Sequence, residues 1–476
     1  MLKNARGALA SLGAWAQRHA AALCVLLSVL LTAALALHNV SAGPLRNLTD
    51  IGGWGNRALM IAVTAALHAA LLLAATALFR VGVARRALRL VILTAGLYIL
   101  LLPINQKTYW FVNVTLPLIR AMEAQGLAAA AGSGLSAPAA ALLYAVTRGP
   151  IYPMYTLKLL CVGCLLLTVL LLTRAADRRG LGIRAEVLLT LCVILPQGLM
   201  NAACSATLEL PALALLALAL TLLDERHPLA GALCYGAACA LCGVCLYALP
   251  VLLWGISQGR LRAAHLAAAA LVLPALCVPA IACGMPAGQA LSSLVSANAN
   301  LPAYAAGAPG IMNLIPRAIV EETPQYAPAL RHLAALDTLT NAQEYYTQAH
   351  FVVVMRGMTL AGLAMLLGLA AWLRTRREMD GFARAFALTL GALLVCPGVT
   401  SGAWLAVDLL CLWAIVARPS LRLSACMVLF ATAGASCYPM TEEVLLPMVA
   451  AFLLCLLALL MVLGIVPMPG RREKEL

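Results

Sequence analysis

Charge is scarce in this sequence. Asp, Glu, Lys and Arg make up 11% of the 476 residues, well below the share of an ordinary soluble domain. With 63% hydrophobic residues and a mean hydropathy of +0.95, a water-soluble globule would leave too much apolar surface exposed. That excludes a soluble protein and leaves a bilayer as the solvent. Acids are the scarcer sign, 18 against 32 basic residues, so carboxylate chemistry has few candidates. Long polar spacers are missing between the apolar runs, which leaves no room for a separate soluble domain. No internal repeat is present, which counts against the inverted-repeat design of secondary transporters. Cys161 and Cys164, and Cys239, Cys242 and Cys245, recur every three residues and stack on one helix face, yet no His or acid accompanies either group. Thiols acting as small packing residues fit better there than a metal or iron–sulfur centre. No cofactor is expected, and nothing in the sequence supports a divalent metal.

What the sequence does have is apolar runs. They lie near 21–38, 58–79, 87–103, 151–173, 185–200, 206–223, 229–242, 243–257, 265–283, 350–373, 385–396, 402–417, 421–437 and 443–464, which reads as an all-α polytopic integral membrane protein of about fourteen transmembrane helices. Gly and Pro, 35 and 24 in number, are tolerated in such helices because neighbouring helices satisfy the freed backbone. The net charge of +14 does not point to nucleic acid. Fourteen crossings put about 23 of the 32 Lys and Arg residues on one side, as the positive-inside bias requires. The expected location is therefore the cell membrane, multi-pass, with both termini cytoplasmic. The basic segment 1–20 followed by the run 21–38 has the outline of a signal peptide. An uncleaved first helix is preferred, because cleavage would break the charge alternation.

Two long segments fall outside, 104–149 and 284–349. In the first, Trp110, Phe111, Val114, Leu118, Ile119 and Met122 recur at helical spacing and predict an amphipathic helix on the membrane interface. The second mixes aromatic, apolar and charged residues and is too apolar for a disordered tether. The expected organisation is an amino-terminal segment and extra hairpin over 1–86, a membrane body over 87–464, and a basic cytoplasmic tail over 465–476.

Four stretches of that body carry a resemblance. They are Gly149-Pro150-Ile151-Tyr152-Pro153-Met154-Tyr155; Leu195-Pro196-Gln197 through Asn201; Asp224-Glu225-Arg226-His227-Pro228-Leu229-Ala230-Gly231; and Cys396-Pro397 through Asp408-Leu409-Leu410. Their order resembles the GT-C superfamily of membrane glycosyltransferases, in particular bacterial mannosyltransferase-like proteins related to the GPI mannosyltransferases. The resemblance implies a GT-C-like fold, a polyprenyl-phosphate-linked sugar donor, and transfer to an acceptor at the outer face. The polar signatures differ. Ser205-Ala206-Thr207-Leu208-Glu209 stands where the family has Trp-Gly-Gln-x-Asp, and only the carboxylate is kept in kind. Val399-Thr400-Ser401-Gly402-Ala403 stands for Met-His-Glu-Arg-Tyr, and Cys242-Gly243-Val244 for Lys-Pro-Gln. Residues 104–149 contain no Asp, and Glu123 is their only acid.

An inverting sugar transfer needs a base for the acceptor proton and cations or dipoles for the phosphate leaving group. Glu209, about one turn inside an apolar run beside Pro211, is the first candidate carboxylate. Asp50, ahead of Gly52, Gly53 and Gly55, is the second. Against these stand a protonated Glu209 tied to Asn201 and an ordinary turn at Asp50. Candidates for substrate binding are Asn201, Tyr152, Arg148, Lys158, Arg317 and Arg331, with Lys158 suited to the carrier phosphate or to snorkelling. His68 reads as a packing residue, and Asp408 as paired with an inner Arg. Besides the transferase, two alternatives stand: a catalytically inactive GT-C-fold protein that binds lipid or acts as a scaffold, and a transporter or lipid flippase. The implied partners are the lipid-linked donor and membrane lipid.

Overall fold

The computed structural model of the chain describes residues 81–101, 115–130, 135–149, 153–257, 261–299, 360–376, 378–395, 401–436 and 445–466, with a few single positions besides. Among the described residues every regular element is helical. In chain order these are α1 (Val83–Leu101), α2 (Leu116–Gln125), α3 (Ala137–Thr147), α4 (Pro153–Arg178), α5 (Arg184–Val193), α6 (Glu209–Asp224), α7 (Pro228–Leu241) and α8 (Leu249–Ser257). They continue as α9 (Ala263–Ala275), α10 (Ala287–Ala299), α11 (Leu360–Thr375), α12 (Gly381–Val395), α13 (Ser401–Ala417), α14 (Arg422–Ser436) and α15 (Leu445–Val462). A π-turn spans Leu199–Cys204 and a 3-10 helix Gly243–Ala248.

Among the described residues, two stretches are long and apolar enough to cross a membrane: α4, and Ala263–Ala282, which is α9 with its continuation. The 26 residues of α4 span about 39 Å at 1.5 Å per residue, more than the hydrocarbon core needs. Pro153 begins α4 where its missing N–H costs nothing. Gly180, in the left-handed region at φ +65°, ends it, with Leu181 N donating back to Ala176 O at 3.2 Å in the closure that glycine permits. The two stretches differ in setting. Seventy-two per cent of the apolar window of α4 is buried within the protein, against 17% for Ala263–Ala282. The latter bares Leu271 and Val278, and α11 likewise exposes Leu360, Met365 and Leu367.

The chain divides into two compact units, Met1–Val112 with Val146–Ala206, and Asn113–Ala145 with Thr207–Leu476. In the first, α4 packs against α1, α5 and the π-turn. Arg89 of α1 is fully buried. Its guanidinium donates to both oxygens of Asp177 at 2.6 and 2.7 Å and to Glu186 Oε1 at 3.0 and 3.1 Å. One cation thus ties the end of α4 and the start of α5 to α1. A fully buried Arg is sustained only by such pairing, and the planar fork suits two carboxylates at once.

In the second unit, α6 and α7 form a hairpin, and α7 packs on α9. A Cβ at Gly236 would collide with the Ala269 carbonyl, so the α7–α9 approach depends on that glycine. The helices α12 to α15 enclose a core that includes Phe386, Trp404, Val407, Cys411, Val428 and Cys455. Ser136 Oγ donates to the Ala240 and Leu241 carbonyls at 2.6 and 3.1 Å, covering acceptors that the end of α7 leaves open. Ala137 N donates to Ser293 Oγ at 2.7 Å.

Several expectations take a different local form. The run at 185–200 is not one helix: α5 ends at Val193, and a short turn at Pro196–Gly198 leads into the π-turn. Proline disfavours helical backbone at the residue before it, here Leu195. The run at 243–257 begins as a 3-10 helix, entered from an extended Cys242. Of the predicted amphipathic helix, Leu118, Ile119 and Met122 lie in α2, which buries Ile119 and Met122 and exposes Arg120 and Glu123; Trp110, Phe111 and Val114 lie outside the described residues.

Candidate functional site

The described candidates fall in two places, one in each unit. In the first unit, α4 carries Lys158, fully buried, and Tyr155 on the same face one turn earlier. Across from them lies the π-turn, a rare element that often marks functional positions. Asn201 is 2% exposed and Gln197 1% exposed, and Asn201 Nδ2 donates to Gln197 O at 2.9 Å. Lys158 lies within electrostatic reach of Cys204 in the same turn. The structure therefore gathers Lys158 and the Asn201 segment, and adds Gln197 to them. Arg148 is exposed just beyond α3.

The chain leaves the π-turn through Ala206, whose φ of +51° is a strained left-handed conformation for a residue with a Cβ. In the second unit, Glu209 is the first residue of α6 and is half-buried, as are Thr207 and Leu208. A carboxylate in a helix's first turn faces the positive end of the macrodipole. The first turn of α13 closes on this spot. A Cβ placed at Gly402 would stand 3.1 Å from Thr207 Oγ1, 3.3 Å from Glu209 Cβ and 3.3 Å from Glu209 Oε2. Cys242 and Cys245, at the start of the 3-10 helix, lie within electrostatic reach of Glu209. Thr207 and Glu209, the Cys242–Cys245 segment and Gly402, far apart in sequence, thus come near one carboxylate.

Asp408 sits mid-way along α13, completely buried. The sequence suggested an arginine partner. Instead Thr432 Oγ1 of α14 donates to Asp408 Oδ1 at 2.6 Å, and Oδ2 has no hydrogen-bond partner among the described residues. Arginine is absent from this pairing because Arg418 and Arg422 lie at the end of the helix, where Arg418 meets Asp380 at 3.2 Å and Arg422 Nε donates to Ile415 O at 2.9 Å. Every cysteine among the described residues is a free thiol, and Cys161, Cys239 and Cys245 are buried in helix contacts. Asp50, Tyr152, Arg317, Arg331 and His68 lie outside the described residues, as does most of the 284–349 segment.

Sequence reasoning missed two features. The Arg89–Asp177–Glu186 group had a signal: Arg89 and Glu186 each fall inside an apolar run, where a charge demands a partner. Gly402 had none, because one glycine in an apolar helix is unremarked until its neighbour is known. No family model, curated protein or solved structure matches this chain.

Proposed function

We propose that this chain is a multi-pass membrane protein of about fourteen helices, with both termini cytoplasmic. In this reading it is a GT-C-type glycosyltransferase that moves a sugar from a polyprenyl-phosphate donor to an acceptor at the outer face. The membrane half of the reading draws on the exposed apolar residues of Ala263–Ala282 and α11, which water would penalise and hydrocarbon would not.

The enzymatic half rests on one observation, the close approach of Gly402 to Thr207 and Glu209 with Cys242 and Cys245 within electrostatic reach of that carboxylate. In the proposed reaction the acceptor hydroxyl oxygen bonds to the anomeric carbon as the bond to the carrier phosphate breaks. Glu209 takes the hydroxyl proton, and the phosphate leaves as an anion on its lipid. Glu209 is half-buried, and the proposed topology puts it toward the outer face, where a lipid-linked head group is presented.

The test is sugar transfer by the purified protein in lipid nanodiscs, with polyprenyl-phosphate mannose and polyprenyl-phosphate glucose as donors. Transfer that falls by about 100-fold or more in Glu209→Gln, the size of a general-base contribution, supports the assignment. Full activity in that variant removes Glu209 from the chemistry.

A second reading has its own support: Cys242-Gly243-Val244 and Thr400-Ser401-Gly402 stand where the GT-C pattern has Lys-Pro-Gln and His-Glu-Arg. A non-catalytic lipid-binding relative would keep this frame without the polar groups. Neutralising Asp50, Glu123, Glu209, Glu321, Glu322, Asp337, Glu344, Glu442 and Glu443 together, with cellular function unchanged, decides for it.

A further inference from the structure

We propose that Gly402 is the positioning residue for Glu209, and that its missing side chain sets the distance between α13 and the first turn of α6. This rests on the reading of Glu209 as the working carboxylate. A Cβ at Gly402 would press on three atoms at once, Thr207 Oγ1, Glu209 Cβ and Glu209 Oε2, at 3.1, 3.3 and 3.3 Å. Two of the three can swing aside by side-chain rotation. Glu209 Cβ cannot, because it is fixed to the α6 backbone. An added methyl must therefore move the backbone at Glu209 or at Gly402 by a few tenths of an ångström. Packed helices resist such shifts because the interior has little free volume.

The geometry also says why the carboxylate is held. Gly402 is buried, so the first turn of α13 forms a wall against one side of the Glu209 side chain. Thr207 lies against the same wall. A general base works only from a narrow range of positions, and a displacement of about 1 Å costs on the order of 100-fold. A shift of a few tenths of an ångström should then lower turnover while leaving donor binding nearly as it was.

The experiment compares wild type, Gly402→Ala, Thr207→Ala and the double variant, each as the full chain in lipid nanodiscs. The first readout is the rate at which dicyclohexylcarbodiimide modifies Glu209, followed by mass spectrometry, with Glu123 on the exposed face of α2 as internal reference. The second is transfer from polyprenyl-phosphate mannose. Gly402→Ala should change the Glu209 modification rate by about threefold or more relative to Glu123, and should lower kcat by about tenfold with KM within about twofold. Adding Thr207→Ala, which removes a contact that can swing aside, should leave both effects largely in place, because the contact with Glu209 Cβ remains.

Modification of Glu209 at the wild-type rate in Gly402→Ala overturns the proposal, as does a changed rate that Thr207→Ala returns to the wild-type value, which would place the effect on Thr207 and not on the α6 backbone. If Gly402→Ala alone does not fold, the double variant is compared with Thr207→Ala, and equal rates overturn it. If the wild type transfers no sugar, the transferase reading fails, and the modification rates still decide the role of Gly402.

Discussion

At the residue scale, Arg89 joins two carboxylates to one buried cation. Its guanidinium neutralises Asp177 and Glu186 while fully buried, and Glu186 is itself 5% exposed. Removing one partner of a buried charged group strands the others, at about 3–5 kcal/mol. Arg89→Ala should therefore lower the melting temperature sharply in detergent or fail to accumulate. Arg89→Lys keeps the charge but loses the two-pronged fork, and should fall between wild type and Arg89→Ala in the same melting assay. A melting point unchanged in Arg89→Ala would mean the three-way pairing contributes little.

Asp408 allows a second prediction at this scale. Thr432→Val removes the hydroxyl that donates to Asp408 Oδ1 and leaves an acid inside an apolar core. The expected loss is about 1–3 kcal/mol, read as a lower denaturation midpoint. Asp408→Leu combined with Thr432→Val should recover stability, because an apolar pair has no unmet hydrogen bond. Arg226 stands in the left-handed region at φ +64° at the end of α6. Arg226→Gly should raise stability by up to about 1 kcal/mol, since a side chain there costs about 1–2 kcal/mol.

At the element scale, helix contacts decide what the apolar runs become. Threonines within α1, α4, α5, α6 and α12 return their hydroxyls to the carbonyl four residues earlier, as in Thr94 to Leu90 O at 2.8 Å and Thr173 to Val169 O at 2.9 Å. That satisfies the hydroxyl inside its own helix. The contact between α7 and α9 depends on Gly236. Gly236→Ala drives a methyl into the Ala269 carbonyl, which is backbone and cannot rotate away. The expected cost is about 1–3 kcal/mol of overpacking, measured as thermal stability, with Gly236→Leu worse. Helix propensity alone favours alanine over glycine, so a stabilised Gly236→Ala would show that the α7–α9 approach is not close.

At the scale of the whole molecule, the proposed topology puts the segments 104–149 and 284–349 outside and the basic turns inside. Alkaline phosphatase fused after Gln125 should be active, and fused after Gly259 inactive. The reverse pattern would invert the orientation and remove Glu209 from the face where a lipid-linked donor is offered. The two structural units each hold part of the candidate chemistry, Lys158 with Asn201 and Gln197 in one, and Glu209 with Thr207 and Gly402 in the other.

Much of the helical content could be read from the sequence, because hydrophobic run length is a local property. The α4, α6 and α12 to α15 ranges lie within a few residues of the runs at 151–173, 206–223, 385–396, 402–417, 421–437 and 443–464. The amphipathic face of α2 was legible through its spacing. Local sequence also marked Glu209, since a carboxylate in an apolar run is costly wherever it lies. What neighbours it could not be read. Gly402 is 193 positions away, Thr432 is 24 positions from Asp408, and Glu186 is 97 from Arg89. These pairings arise only when helices pack, because a side chain's partner across a helix contact is set by the crossing geometry and not by the flanking residues. The sequence by itself determined that the chain is helical and apolar and which few acids could matter. The tertiary structure decided which of those acids are neutralised, as Asp177 and Glu186 are, and which one, Glu209, meets a glycine that lets another helix close upon it.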